Sequence, residues 1–314
     1  MDSLALVPAG AALLPMLLIF ALIEVVRYAE GLRRRRSPFN RDFLRPAGFT
    51  LQNRLEELQL EIALSFGFGL FVPLWFYSMW LSVHNWNPQA ATGSLLALFV
   101  IAGAGGFAVL LARTVRNYRS LRRVRMGLDG ELAAGQELDR LMKHGCRVFH
   151  DVPAGRQNID HVVVGPTGVL AVETKSRDRA NRGRGAEDAT VNFDGYRLRF
   201  PDEAQSSYLE QATRQARWLR DWLTRALGED VPVQPVLALP GWFVDRRGSG
   251  AVAVVNPKEA AKLIQGPVVL DRRRQEKIAF RLERACRALT PRKRRVNADD
   301  RLRPLRRPGR SAER

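Results

Sequence analysis

The chain has 314 residues, and its 50 Lys and Arg outnumber 32 Asp and Glu, for a formal net charge of +18. Two cysteines, Cys146 and Cys286, and four histidines form no ligand-spaced cluster, which argues against a disulfide framework, a zinc site or a histidine-built metal centre. The arginine excess suits polyanionic neighbours, either lipid headgroups or nucleic acid.

Composition breaks near residue 115. Before it, long apolar runs alternate with short charged loops; after it, apolar and charged residues mix as in a soluble α/β domain. Runs at about 4–26, 62–83 and 92–112 are each long enough to cross a hydrocarbon core of roughly 30 Å as a helix. For the first, a cleaved signal peptide is the rival, but Asp2 leads it and Glu24-Val-Val-Arg-Tyr follows, so a retained anchor is expected. The second carries Trp75, Phe76, Tyr77 and Trp80, rings suited to the membrane interface, and the third carries Gly103, Gly105 and Gly106, which permit close helix contact. Between the first two, 53–64 shows helical spacing of Leu55, Leu58, Leu60 and Leu64; it extends the second helix or lies along the membrane surface, with no chemistry evident. Arg27 and Arg33 to Arg36 flank the first loop, five arginines follow the third run within a basic linker at 114–126, and 84–91 has neither Lys nor Arg. The positive-inside rule then puts the N-terminus outside the inner or plasma membrane and everything beyond about 113 in the cytoplasm.

Helical periodicity through Leu132, Leu138 and Leu141 opens the second half, with Glu131 near its start. A short strand at 146–150 precedes the most informative stretch. There, Asn158-Ile-Asp-His-Val-Val-Val and Val169-Leu-Ala-Val-Glu-Thr-Lys flank Gly165-Pro-Thr-Gly, two β-branched runs about a turn with Pro at its second position. Pairing Val164 with Val169 sets Asp160 opposite Glu173, with Cβ atoms within about 5 Å, an arrangement that is destabilising unless a cation sits between them. Two hard oxygen ligands with Lys175 nearby suit Mg²⁺ or Mn²⁺, and the lysine is placed to orient water or stabilise charge on a phosphate. A solvated edge hairpin with incidental charges is the alternative.

Residues 176–189 are rich in Arg, Gly and Asp and read as a mobile loop beside Lys175. A hairpin is expected at 191–200, and a helix at 207–219 presents Gln211 and Gln215 on one face with Arg214 and Arg217 as phosphate contacts or surface charges. Strands at 233–239 and 251–255, a helix at 257–264 and a basic amphipathic helix at about 268–290 complete the fold, ahead of an Arg- and Pro-rich tail at 291–314 expected to be disordered.

Taken together and in order, Gly130-Glu131, Asn158-Ile159-Asp160-His161, Gly165-Pro166-x-Gly168, Glu173-x-Lys175 and Gln211-x-x-x-Gln215 resemble the nuclease-related domain, NERD, of the PD-(D/E)xK superfamily, over roughly 127–240. The resemblance implies an α/β fold with a restriction-endonuclease-like mixed sheet flanked by helices, over 127–267, following the three-helix transmembrane region at 1–113. It also implies Asp160 and Glu173 as metal ligands, Lys175 as catalytic lysine, and Glu131, Gln211 and Gln215 as supporting residues. One departure is Ile159, where the superfamily's name has proline. The expected function is a membrane-anchored, Mg²⁺- or Mn²⁺-dependent nuclease acting on DNA, or RNA. The alternative is a catalytically weak or inactive tethered module that binds nucleic acid or protein.

Overall fold

The computed structural model describes residues 43–155, 157–179, 182–183 and 185–287, together with 21, 22, 24 and 25. The first expected span lies almost wholly outside the described residues, and so does the tail from 291. The chain divides into two compact units, one holding Arg54–Arg123 and the other Asn40–Asn53 with the chain from Val124 onward.

Helix α1 (Phe49–Trp86) and helix α2 (Gly93–Asp139) contain the second and third apolar runs. Among the described residues these two are long and apolar enough to cross a membrane. Within the first unit they touch where side chains are small: a Cβ on Gly103 would lie 3.3 Å from Pro73 Cα, and one on Gly106 would lie 2.8 Å from Val72. Gly105 meets nothing within 4 Å, so two of the three glycines serve the contact. Asn117 donates to Glu61 across the same pair at 3.0 Å. The expected extension of the second helix toward residue 53 is present, and α2 continues as one helix through 114–126, where the sequence suggested a linker.

The second unit is built on a five-stranded mixed sheet of order β1-β2-β3-β7-β9. Its strands are β1 (Arg147–Ala154), β2 (Gln157–Gly165), β3 (Gly168–Thr174), β7 (Val233–Ala238) and β9 (Ala253–Val255). β1 to β3 are antiparallel, and β3, β7 and β9 run parallel. Every residue of β3 is buried, as expected for a central strand covered on both faces. On one face Val162, Val164, Val169 and Ala171 pack against Ala216, Leu219 and Leu223 of helix α3 (Ser207–Leu227) and Ile278, Ala279 and Leu282 of helix α4 (Arg272–Cys286). On the other, Val163, Leu170, Val172 and Val236 meet Leu138, Leu141 and Ala260.

Helix α4 starts where Asp271 accepts the Arg274 N–H at 2.7 Å, an N-cap. The sequence predicts a basic amphipathic helix here, and its apolar stripe lies in the domain core. A second sheet of order β6-β5-β4-β8, with β4 (Thr190–Phe193), β5 (Leu198–Arg199), β6 (Ala204–Gln205) and β8 (Phe243–Arg246), encloses a smaller core around Trp242. The hairpin of that sheet was legible in the sequence; its partner β8 was not.

Because Leu282 is fully buried, Leu282→Ala is expected to destabilise the second unit by about 2–5 kcal/mol, read by denaturant titration of the full chain in detergent. A loss no larger than that of the exposed Arg273→Ala would show that α4 is peripheral.

Candidate functional site

The β2–β3 pairing sets Val164 against Val169 and ends at His161 against Val172, one step short of the expected pairing of Asp160 with Glu173. The alternation along β2 is not regular, however. Val162 and Ile159 join the same core although they are three residues apart, and so do Phe149 and Val152 of β1. The slip falls where His150 pairs with His161 and Val152 with Ile159; between them Asp151 holds φ at 48°, the only non-glycine positive φ among the described residues. Strict alternation would have sent Ile159 away from that core. Asp160 ends with Oδ2 accepting the Thr174 N–H at 2.7 Å.

Glu173 is 2% exposed on β3, and its charge is met from three sides. Gln211 Nε2 donates to Oε1 at 2.6 Å, Gln215 Nε2 donates to Oε2 at 2.5 Å, and Lys175 Nζ lies 2.6 Å from Oε1. Gln215 also donates to the Asn158 carbonyl at 3.2 Å. The four-residue spacing that put both amides on one face of α3 therefore aims both at one carboxylate.

Glu131 enters from the last turns of α2, beside Gly130. A Cβ on Gly130 would lie 1.5 Å from Ser176 Oγ, so only glycine lets the helix approach the end of β3 this closely. Burial, then the carboxylates of Asp151 and Glu173, push the Glu131 carboxyl up to about 7, against the opposing pull of Lys175 and the Gly48 N–H. Burial, with Glu173 and Glu131, pushes Asp160 well above the usual carboxylate range. Glu131, Asp160, Glu173 and Lys175 thus act on one another electrostatically, and the acids repel. Among the described residues no three His, Cys, Asp or Glu side chains stand together as an ion's full ligand set. A hard cation here would draw on Asp160 and Glu173 and complete its shell with water or substrate, which suits the chemistry of Mg²⁺ or Mn²⁺.

The structure also assembles groups that the sequence left scattered. His150 Nδ1 and His161 Nδ1 are 2.8 Å apart, and His150 Nε2 is 3.1 Å from Asp139 Oδ1. If both are hydrogen bonds, His150 carries its proton on Nε2 and His161 on Nδ1. The β1–β2 pairing was the signal, but it required knowing that the first strand runs on to Ala154. The described residues of 176–189 include several that are anchored, in a stretch expected to be mobile. Arg177 bonds Asp202 at 2.6 Å and also pairs with Glu203, Arg179 bonds the Gly241 carbonyl, and Asp188 is buried and accepts the Arg182 N–H at 2.8 Å. Arg214 and Arg217 lie on the exposed side of α3. Arg214 is 3.7 Å from Glu210 and lines a cavity of about 420 Å³ with Tyr196, Leu209 and Thr213, distinct from the acid cluster.

A mixed sheet with acids and a lysine gathered at the end of its central strand, buttressed by helix amides, marks an α/β domain organised around one polar site. Residues 126–240 match the family model of the nuclease-related domain, NERD. No curated protein and no solved structure matches the chain significantly.

The raised Glu131 carboxyl has a stability consequence. Its folded value, about 7, exceeds the ordinary 4.5, so the folded state binds more protons between these values and stability falls as pH rises through that window. Glu131→Gln is expected to be more stable than the parent at pH 8 without metal by on the order of 1–3 kcal/mol, the gain vanishing below about pH 4.5. Equal stability of parent and variant across pH 4–8 would show that the repulsion is absent.

Proposed function

We propose that the chain is a membrane-anchored, divalent-metal-dependent nuclease that hydrolyses phosphodiester bonds of DNA, with its nuclease-related domain in the cytoplasm. The observation that carries this reading is the buried Glu173 carboxylate beside Asp160, with the Lys175 ammonium 2.6 Å away, inside a nuclease-related domain. Asp160 and Glu173 would hold the ion. A bound Mg²⁺ or Mn²⁺ supplies a Lewis acid for the phosphate and lowers the pKa of a coordinated water.

The chain's own residues do the rest. Gln211 and Gln215 fix the Glu173 carboxylate in one orientation, because rotating it would break charge-assisted hydrogen bonds at both oxygens. Lys175 is half-buried with its ammonium at the acid cluster, where low dielectric strengthens its attraction for a phosphate oxygen that gains charge in the transition state. The net charge of +18 supports attraction of a polyanion to the domain. The apolar lengths of α1 and α2 support anchoring at the inner or plasma membrane.

One observation favours a second reading. The ion pair of Lys175 and Glu173 is already closed, and both Glu173 oxygens are engaged, as in a resting structural network. On that reading the domain is a nonhydrolytic binding module. The full chain in detergent with Mg²⁺ or Mn²⁺ is expected to cut plasmid or single-stranded DNA, with RNA as the comparison substrate. Asp160→Ala or Lys175→Ala is expected to lower the rate by at least about 100-fold. Parent-like cleavage in both variants would remove these residues from the mechanism; salt-sensitive binding without cleavage in the parent would favour the binding module.

A further inference from the structure

The stretch between the first two expected spans carries no motif, and it lies outside the matched residues 126–240. Even so, residues 43–53 fold with the nuclease-related domain. Hydrogen bonds from this stretch converge on Asp151 and Asn158, next to the acid cluster. Arg45 Nη1 donates to Asp151 Oδ2 at 3.0 Å and to the Asp151 carbonyl at 3.2 Å, and Thr50 Oγ1 donates to the same Oδ2 at 2.9 Å. Asn158 Nδ2 donates to Asp151 Oδ1 at 2.9 Å and to Thr50 Oγ1 at 2.7 Å. The Asn158 carbonyl in turn accepts from Gln215, whose amide holds Glu173. Separately, Glu131 Oε2 comes close to Gly48, lying 3.9 Å from where a Cβ on that glycine would stand.

Local sequence does not require this arrangement. Asp151 is 3% exposed and sits at φ 48°, a conformation that costs a non-glycine residue free energy and persists only when its surroundings enforce it. Arg45 and Thr50 provide that enforcement from more than a hundred residues upstream. The strained residue marks the slip in strand alternation that governs how Asp160 is presented. Gly48 is equally specific: its φ is +71°, and a Cβ there would lie 2.3 Å from Leu128 Cδ1.

We propose that Arg45, Gly48 and Thr50 are positioning residues for the metal-binding acids, so that the catalytic unit includes a segment encoded before the second apolar run. The proposal rests on the metal-nuclease reading above. The upstream segment acts through Asp151 and Asn158 on Asp160 and Glu173, and directly on Glu131.

The test uses the full chain in detergent, with Mn²⁺ alone and then with single-stranded DNA as substrate. Thr50→Val keeps the shape but loses the hydroxyl; it is expected to weaken Mn²⁺ binding to substrate-free protein and to lower kcat, each about 10-fold, with KM little changed. Thr50→Ser restores the hydroxyl and is expected to recover most of both losses. Arg45→Lys, which keeps charge but not the forked geometry, is expected to fall between parent and Thr50→Val. Thermal midpoints are expected to move by only a few degrees. If the parent binds Mn²⁺ and cuts while Thr50→Val matches it, or if Ser and Val lose alike, the positioning role is overturned and the nuclease reading stands. If the parent neither binds Mn²⁺ nor cuts, the nuclease reading fails and takes the positioning role with it.

Discussion

A carboxylate buried on the central strand of a sheet is tolerated only when a cation and charge-assisted hydrogen bonds replace the water it has lost, since the unmatched penalty is several kcal/mol. Glu173 imposes that condition on this fold. It requires α3 to lie against the sheet at the height where Gln211 and Gln215 reach both oxygens, and β3 to place Lys175 beside the acid. Asn158 then has a fixed place as well, because its carbonyl accepts the second hydrogen bond of Gln215. Much of the second unit can be read as the surroundings this one group needs.

The satisfaction is uneven, and the unevenness is informative. Glu173 is fully matched, whereas Asp160 and Glu131 are held near it and near each other with their carboxyls raised by burial and mutual repulsion. A domain selected for stability alone would replace such acids with apolar or amide side chains. Their retention together is expected where a functional site is kept at the expense of stability.

How much of this was legible depended on sequence distance. The β2–β3 hairpin could be read because its register is fixed locally by Gly165-Pro166-Thr167-Gly168 and by the valines on either side. Gln211 and Gln215 could be read as a pair because a helix fixes their relation, although nothing local says that Glu173 lies opposite. Asp151, Arg45 and Thr50 could not be read. Their partners are 101 to 108 residues apart, and the slip that binds them together breaks the alternation from which strands are inferred. The pairing of β4 with β8 was hidden for the same reason, and α4 could be read as amphipathic, but nothing local says that its stripe of Ile278, Ala279 and Leu282 packs on the sheet.

Helix α3 carries the amides on its first turns and Leu219, Trp222 and Leu223 further along, on the side facing the sheet. A helix advances about 100° per residue, so inserting or deleting one residue between Gln215 and Leu219 would swing the amides away from Glu173 or pull the leucines out of the core. The helix therefore acts as a keyed shaft that admits one angular setting. The site thus tolerates exchange of side chains in place but not a one-residue shift within this stretch of the helix.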